Sequence, residues 1–209
     1  MSNIWFTSDL HMMHNKGFLY EPRGFTNEKD MCEAIVENWN KVVKPEDTVY
    51  NLGDIALSDI DAAIPYLQAL NGTHWWIRGN HDSPNKVNKL CKACKNLYTI
   101  SNPEASWATM ICVGKIYMYM SHYPTLTANF DERHFSRHVI ALHGHVHSKT
   151  NWIIPTNPFL YHVGMDSHNC TPVNLDEILS DIRQRWEEIG KLPPSVKPED
   201  IYPYQKNLF

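Results

Sequence analysis

The stretch Gly79-Asn80-His81-Asp82 places three polar side chains directly after the apolar segment 74–77. That segment predicts a buried strand, and glycine tolerates the backbone angles at which a strand ends. Asn80 offers a neutral oxygen to a metal ion, and His81 can exchange a proton near neutral pH. Asp82 would hold the His81 ring in one orientation. A polar turn explains the stretch equally well, so it indicates a site only if similar residues end other strands.

Four further segments repeat this arrangement of an apolar run followed by residues of metal-binding types. In an extended chain, residues two apart point to the same side, so an Asp-x-His or His-x-His pair converges on one point. Ligands at the ends of several strands meet at one edge of an α/β sheet. The four segments are Asp9-x-His11, Gly53-Asp54, His122 and Gly144-His145-x-His147.

The candidate ligands number two aspartates, one asparagine and four histidines. Two metal ions that share one carboxylate need about seven protein ligands. All of the candidates donate nitrogen or oxygen, which suits manganese, iron, zinc or cobalt better than a thiolate site. The sequence therefore predicts a dinuclear centre held by Asp9, His11, Asp54, Asn80, His122, His145 and His147.

In their order and spacing, these motifs resemble those of the calcineurin-like metallophosphoesterases. The family pattern is D-x-H, G-D, G-N-H-[DE], H and G-H-x-H, and the chain matches it at every position between residues 4 and about 166. The resemblance implies an α/β fold, a four-layer sandwich of two sheets flanked by helices, and the cleavage of phosphoester bonds. It also implies two divalent transition metals, with manganese expected and iron, zinc, cobalt or nickel as alternatives.

The resemblance further divides the ligands between two ions. Asp9, His11, Asp54 and His147 would hold one ion, and Asp54, Asn80, His122 and His145 would hold the other, with Asp54 bridging. A hydroxide between the two ions would attack the phosphorus, and His81 would be the acid beside them. Asp82 would hold the tautomer of His81.

The roles of the other polar residues are less specific. His14 and Arg23 lie in the loop after the first ligand pair and are candidates for binding the phosphate, although solvated loop residues fit equally well. His143 is expected to support the ligands or to pack. Packing, loop or rim positions are expected for His134, His138, His162 and His168.

The elements that must position these residues alternate between short strands and amphipathic helices. Strands are predicted over 4–7, 48–52, 74–77, 107–113, 115–120, 138–142 and 161–164. Helices are predicted over 27–43, 59–70, 85–95 and 175–189. We expect one metallophosphoesterase domain over residues 1–189 and a tail rich in proline and aromatic residues over 190–209.

The bulk composition excludes several classes of protein. A chain of 209 residues with 43% hydrophobic content is long enough for one domain with a substantial core. Its net charge of −4 argues against stable binding of duplex nucleic acid. No apolar run reaches the roughly 18 residues of a membrane helix. We therefore expect a cytoplasmic protein that does not engage membranes and whose five cysteines are reduced.

Three functions are compatible with the motifs. The first is a phosphodiesterase acting on small or nucleotide-type diesters. The second is a phosphomonoesterase or protein phosphatase, which would need cations to meet the second charge of a monoester. The cations near the motifs, Lys16, Arg23, Arg133 and Arg137, lie in loops that do not fix them against the metals. The third is a binding module without catalysis, which a missing ligand would mark, and none is missing.

Overall fold

A computed structural model of the chain describes residues 2–100, 105–127 and 138–190. Within these ranges the strands are β1 (Ile4–Thr7), β2 (Thr48–Asn51), β3 (Thr73–Trp76), β4 (Leu97–Thr99), β5 (Ala108–Val113), β6 (Ile116–Ser121), β7 (Val139–His143), β8 (Leu160–His162) and β9 (Val173–Asn174). The helices are α1 (Gly17–Tyr20), α2 (Glu28–Val42), α3 (Ile60–Gln68), α4 (Pro84–Ala93) and α5 (Leu175–Gly190). Arg133, His134, Arg137 and the tail beyond residue 190 lie outside the described residues, so their predictions stay open.

The strands form two mixed sheets. The first has the order β4-β3-β2-β1-β9, in which β1 to β4 are parallel and β9 is antiparallel to β1. The second has the order β5-β6-β7-β8, in which β5 and β6 form an antiparallel hairpin and the remaining pairs are parallel. Because parallel strands end at the same edge of a sheet, this topology brings residues that follow β1, β2 and β3 together. The two-sheet α/β prediction is confirmed.

Two apolar clusters hold the layers together. Trp39 and Trp76 belong to a buried cluster that joins the first sheet to α2, α3 and α4. Phe6 and Met118 belong to a second buried cluster, in which both sheets pack with α5. Successive residues of a strand point to opposite faces, and β1 and β2 each contribute to both clusters. These two strands are therefore packed on both faces, which fixes the positions of the residues that follow them.

The short elements α1, β4 and β9 were not predicted, because two to four residues carry too little periodicity to be recognised. The N-caps of α2 and α3 are Asn27 and Asp59, so each helix begins one residue later than predicted. Pro65 lies inside α3, which continues to Gln68. No helix in the described part of the chain combines the length and the low polarity needed to cross a bilayer.

Candidate metal centre

The seven candidate ligands all follow the carboxyl end of a strand. Asp9 and His11 come after β1, Asp54 after β2, and Asn80 after β3, all in the first sheet. His122 comes after β6, and His145 and His147 come after β7, in the second sheet. A parallel bridge between Ser8 and Gly164 ties the two sheets together beside these residues. The ligand candidates from both sheets therefore meet at one edge of the sandwich.

Within the described residues, nitrogen and oxygen atoms converge in two groups. Asp9, His11 and His147 form the first, and Asp9, Asp54 and His122 form the second, with ligand atoms in each group no more than 4.8 Å apart. Asp9 Oδ1 lies 3.8 Å from Nε2 of His11 and 3.8 Å from Nε2 of His147. Asp54 Oδ2 lies 3.6 Å from His11 Nε2 and 3.4 Å from His122 Nε2. Asp54 thus contacts one imidazole of each group.

These spacings fit a bound ion better than direct hydrogen bonds. Hydrogen bonds in proteins span about 2.7–3.2 Å, so most of these pairs are too far apart. Two donors that each lie about 2.1 Å from one ion are separated by roughly 3–4 Å. Asp9 Oδ1 and His11 Nε2 are buried and have no hydrogen-bond partner. Since a buried polar atom without a partner is costly, a cation between these atoms explains their arrangement.

Asn80 and His145 lie beside His122 and complete the set of seven candidate ligands. The Asn80 amide oxygen lies 2.8 Å from His122 Nε2 and 3.0 Å from His145 Nδ1. His122 is oriented through its other nitrogen, which lies 2.8 Å from the Leu52 carbonyl oxygen. A backbone carbonyl in this position fixes the tautomer in which Nε2 is free to bind a metal.

The backbone is left-handed at five of the seven positions. The φ angles are 59° at Asp9, 50° at His11, 56° at Asp54, 71° at His145 and 47° at His147. A residue with a side chain pays about 1–3 kcal/mol for such a conformation, and the surrounding structure must enforce it. Concentration of this strain at the convergent donors indicates that the fold is shaped around a functional site.

Two glycines allow the strand ends to approach so closely. A Cβ at Gly79 would collide with the Asp54 carboxylate, and one at Gly144 would collide with Ser8 and with Asp9 Oδ2. Any side chain at these positions would therefore displace a carboxylate of the centre. This explains why glycine stands immediately before Asn80 and His145.

The two carboxylates of the centre are ionised. Burial raises the pKa of Asp9, but the imidazoles of His11, His122 and His147 outweigh it, and the pKa lies well below its ordinary value. Burial likewise raises the pKa of Asp54, and His122 reverses the effect, so this pKa is also lowered. Negative charge on both aspartates favours binding of a cation between them.

Asp82 does not hold His81, which corrects the sequence-based expectation. Its Oδ2 accepts hydrogen bonds from the backbone N–H groups of Asp54 at 2.7 Å and Gly79 at 2.9 Å. The same oxygen accepts the indole N–H of Trp76 at 3.1 Å. Burial raises the pKa of Asp82 to about 6, and the negative charge of Asp54 adds to this effect. The Asp82 carboxylate therefore links the loops that follow β2 and β3 through its hydrogen bonds, and it does not bind the His81 ring.

The expected role of Arg23 is also corrected, because its side chain positions other residues of the centre and is not available to bind phosphate. Only 2% of its side chain is exposed, and its guanidinium donates to both carboxylate oxygens of Asp166, at 2.9 and 2.8 Å. It also donates to the Asp9 backbone carbonyl at 2.8 Å. Asp166 Oδ2 lies 2.9 Å from His147 Nδ1, so Arg23 and Asp166 together orient a candidate ligand.

Sequence reasoning missed Asp166, although a signal for it exists. Asp166 follows the predicted strand 161–164, which is the pattern that identified Asp9 and Asp54. A carboxylate bound to the outer nitrogen of a ligating histidine fixes its tautomer and raises its basicity. The structure thus adds Asp166 to the residues of the centre.

The remaining histidines divide into one beside the centre and several that are packed. The His14 ring is 5.2 Å from that of His11 and 6.5 Å from that of His81, so His14 stays a candidate for contacting the substrate. His143 and His162 are fully buried and stack at 5.3 Å. His138 stacks on Phe159 at 3.9 Å, which is the packing role expected of it.

Replacing Asp166 with asparagine should weaken metal binding by roughly 10–100-fold, the usual effect of removing the carboxylate behind a ligating histidine. The asparagine fills the same volume but cannot provide the charge that orients His147. Calorimetric titration with Mn²⁺ measures the effect. Asp181→Asn is the matched control, because Asp181 accepts a hydrogen bond from Tyr161 outside the centre. Equal affinities for the two variants would contradict a role for Asp166 in metal binding.

Comparisons with known proteins agree with this geometry. The calcineurin-like phosphoesterase family model matches residues 2–202. The chain is 32% identical over 200 residues to the Gene 66 protein of Mycobacterium phage D29, covering 88% of this chain and 99% of that protein. It is 31% identical over 193 residues to an uncharacterized protein of Methanocaldococcus jannaschii, covering 88% and 93% of the two chains.

A solved structure shows the same fold. This chain resembles a protein of unknown function from Aquifex aeolicus with a TM-score of 0.63 and 23% sequence identity. The match covers 86% of this chain and 99% of the other. At this identity the likeness concerns the fold alone.

Proposed function

The chain belongs to the calcineurin-like phosphoesterase family, and from this premise we propose that it is a dinuclear-metal-dependent phosphodiesterase that hydrolyses small or nucleotide-type phosphodiesters. The observation that carries the proposal is the convergence of ionised carboxylates and imidazoles, with Asp9 Oδ1 and His11 Nε2 buried and unpartnered. Two divalent ions bound there would lower the pKa of a water molecule and neutralise charge on the phosphoryl group. Manganese is the ion we expect.

In this proposal His81 supplies the proton for the departing oxygen. Its backbone N–H donates to Asp54 Oδ1 at 2.9 Å, and its carbonyl accepts from the Lys86 amine. Its ring lies 5.8 Å from the His11 ring, and the residue is exposed to solvent. A backbone held on both sides and a free imidazole suit a positioned general acid.

Preference for a diester is supported by two basic residues beside the centre, Arg23 and Lys86, which are already bound to other groups. A monoester carries close to two negative charges near neutral pH, and a diester carries one, so a monoesterase needs an additional cation. Arg23 is bound to Asp166 and to the Asp9 carbonyl. Lys86 is bound to the backbone carbonyls of Ala56 and His81. Neither is available for a second phosphate charge.

We expect kcat/KM of the manganese-loaded protein to be roughly tenfold higher for bis-p-nitrophenyl phosphate than for p-nitrophenyl phosphate, the worth of one missing charge-assisted hydrogen bond. The two substrates share one leaving group, so release of p-nitrophenol measures both. Protein stripped with a chelator and then reloaded with Mn²⁺ is the control for metal dependence.

Two other outcomes of this experiment would favour the alternative functions. A clear preference for the monoester would favour the phosphomonoesterase. Binding of two ions without hydrolysis of either substrate would favour a binding module.

A further inference from the structure

Phe18 is an exposed aromatic residue beside the metal centre. It lies in α1, the single turn that follows the first ligand pair, and 74% of its surface is exposed. Its ring meets the edge of the His14 ring, with centroids 5.8 Å apart and planes at 88°. His14 in turn lies 5.2 Å from His11, a member of the first donor group. Phe18 therefore stands at the rim of the centre, on the side of the first group.

Tyr123 occupies the corresponding position on the side of the second group. It directly follows the candidate ligand His122 and is 45% exposed. Its ring centroid lies 4.6 Å from that of His145 and 5.5 Å from that of His122. Phe18 and Tyr123 thus lie beside the centre, with Tyr123 against candidate ligands on the side of the second group and Phe18 against His14 on the side of the first.

Single exposed aromatic residues are common on protein surfaces and need no explanation. Phe18 and Tyr123 differ because Tyr123 touches the imidazoles of two candidate ligands and Phe18 touches His14 beside the centre, while much of each ring stays open to solvent. Neither belongs to the two apolar clusters that stabilise the fold. An exposed flat ring at the rim of a site is a stacking platform for a flat ligand.

We infer that Phe18 and Tyr123 form a stacking subsite on either side of the centre, and that the substrate is a phosphodiester with a nucleobase on at least one ester group. The inference rests on the proposed function and specifies its substrate class. The two ester groups of a diester leave the phosphorus in different directions, so each can reach one of the rings. Stacking recognises the flat face shared by all bases, and it therefore predicts little preference among them.

The test compares two diesters with one leaving group: the p-nitrophenyl ester of thymidine monophosphate and methyl p-nitrophenyl phosphate. Only the first carries a nucleoside, so the ratio of their kcat/KM values measures the contribution of the nucleoside, and the ring variants identify the part that is due to stacking of the base. Because the thymidine ester carries one base, we expect at least one of Phe18→Ala and Tyr123→Ala to lower this ratio by roughly tenfold, within the range found when a base-stacking ring is removed. Phe18→Tyr and Tyr123→Phe keep a flat ring and should keep the ratio.

Tyr117→Ala is the control for loss of an exposed aromatic residue. Tyr117 is 51% exposed but lies five residues before His122, roughly 16 Å away along the strand. For the Tyr117→Ala variant, the ratio of the two kcat/KM values should equal that of the unmodified protein. Unchanged ratios in both Phe18→Ala and Tyr123→Ala would overturn the inference.

A binding measurement separates this inference from the proposed function. Calorimetry on the manganese-loaded protein should show thymidine monophosphate binding roughly tenfold more tightly than methyl phosphate, with the difference lost in the alanine variant that lowers the kinetic ratio. Ring-dependent binding without hydrolysis of either diester would refute the proposed function and retain the subsite. Hydrolysis of the methyl diester with no ring-dependent difference in binding would retain the function and refute the subsite.

Discussion

Replacing His81 with alanine is expected to lower turnover of an alkyl phosphodiester by roughly 10²–10⁴-fold, the usual contribution of a positioned acid, while leaving metal content nearly intact. The His81 ring lies outside both donor groups, and its backbone contacts with Asp54 and Lys86 do not depend on the imidazole. The variant should therefore keep the loop and the ligands and lose only the proton donor. Steady-state kinetics and metal analysis by mass spectrometry measure the two effects.

The leaving group provides an internal control for this assignment. A p-nitrophenolate leaves without a proton, so the loss in His81→Ala should be much smaller for a p-nitrophenyl ester than for an alkyl ester. His147→Ala is the matched variant, because it removes a member of the first donor group and should lose metal. Equal loss of metal from the two variants would make His81 a ligand.

The strand ends that build the centre were predictable because each carries a strong local signal. An apolar run followed by Asp, Asn or His within one to four residues marks the end of β1, β2, β3, β6 and β7. Parallel order then brings these ends together without further information. The positions of the seven candidate ligands depend on this local pattern, and the structure brings all seven to one edge.

The contacts behind the ligands were not predictable, because they depend on residues far apart in the chain. Arg23 and Asp166 are separated by 143 positions, and no local pattern pairs them. Asp82 is adjacent to His81 in sequence, yet its carboxylate turns back toward Asp54 and Gly79, whose N–H groups are otherwise buried without partners. The sequence position of Asp82 suggested His81 as its partner. The need to satisfy the buried N–H groups of Asp54 and Gly79 determines its actual hydrogen bonds.

The left-handed backbone at Asp9 and Asp54 is a further feature that single-sequence patterns do not reveal. Aspartate adopts this conformation more readily than most residues, but it adopts extended and helical ones more often. The left-handed conformation is selected by the tertiary contacts around the centre, where Gly53, Gly79 and Gly144 allow neighbouring groups to approach closely. The sequence therefore identified which residues converge, and the packed structure determined how their donor atoms are aimed.

Loss of the Asp54 carboxylate should have the broadest effect on the centre. Because Asp54 Oδ2 lies within 3.6 Å of an imidazole of each group, we expect Asp54→Ala to lower the occupancy of both ions. Turnover should fall by about 10³-fold or more, since bound metal contributes several kcal/mol of transition-state stabilisation. Metal analysis after dialysis should give two ions per chain for the unmodified protein and fewer than one for the variant.

Two matched variants decide why the ions are lost. Asp54→Asn keeps a carbonyl oxygen for the His81 N–H but removes the charge, so it should lose metal as Asp54→Ala does. If Asp54→Asn kept both ions, Asp54 would act by holding the His81 backbone. Asp9 is the competing bridge, because it belongs to both donor groups. Loss of both ions from Asp9→Asn with loss of one from Asp54→Asn would assign the bridge to Asp9, whereas the reverse would establish Asp54 as the shared ligand.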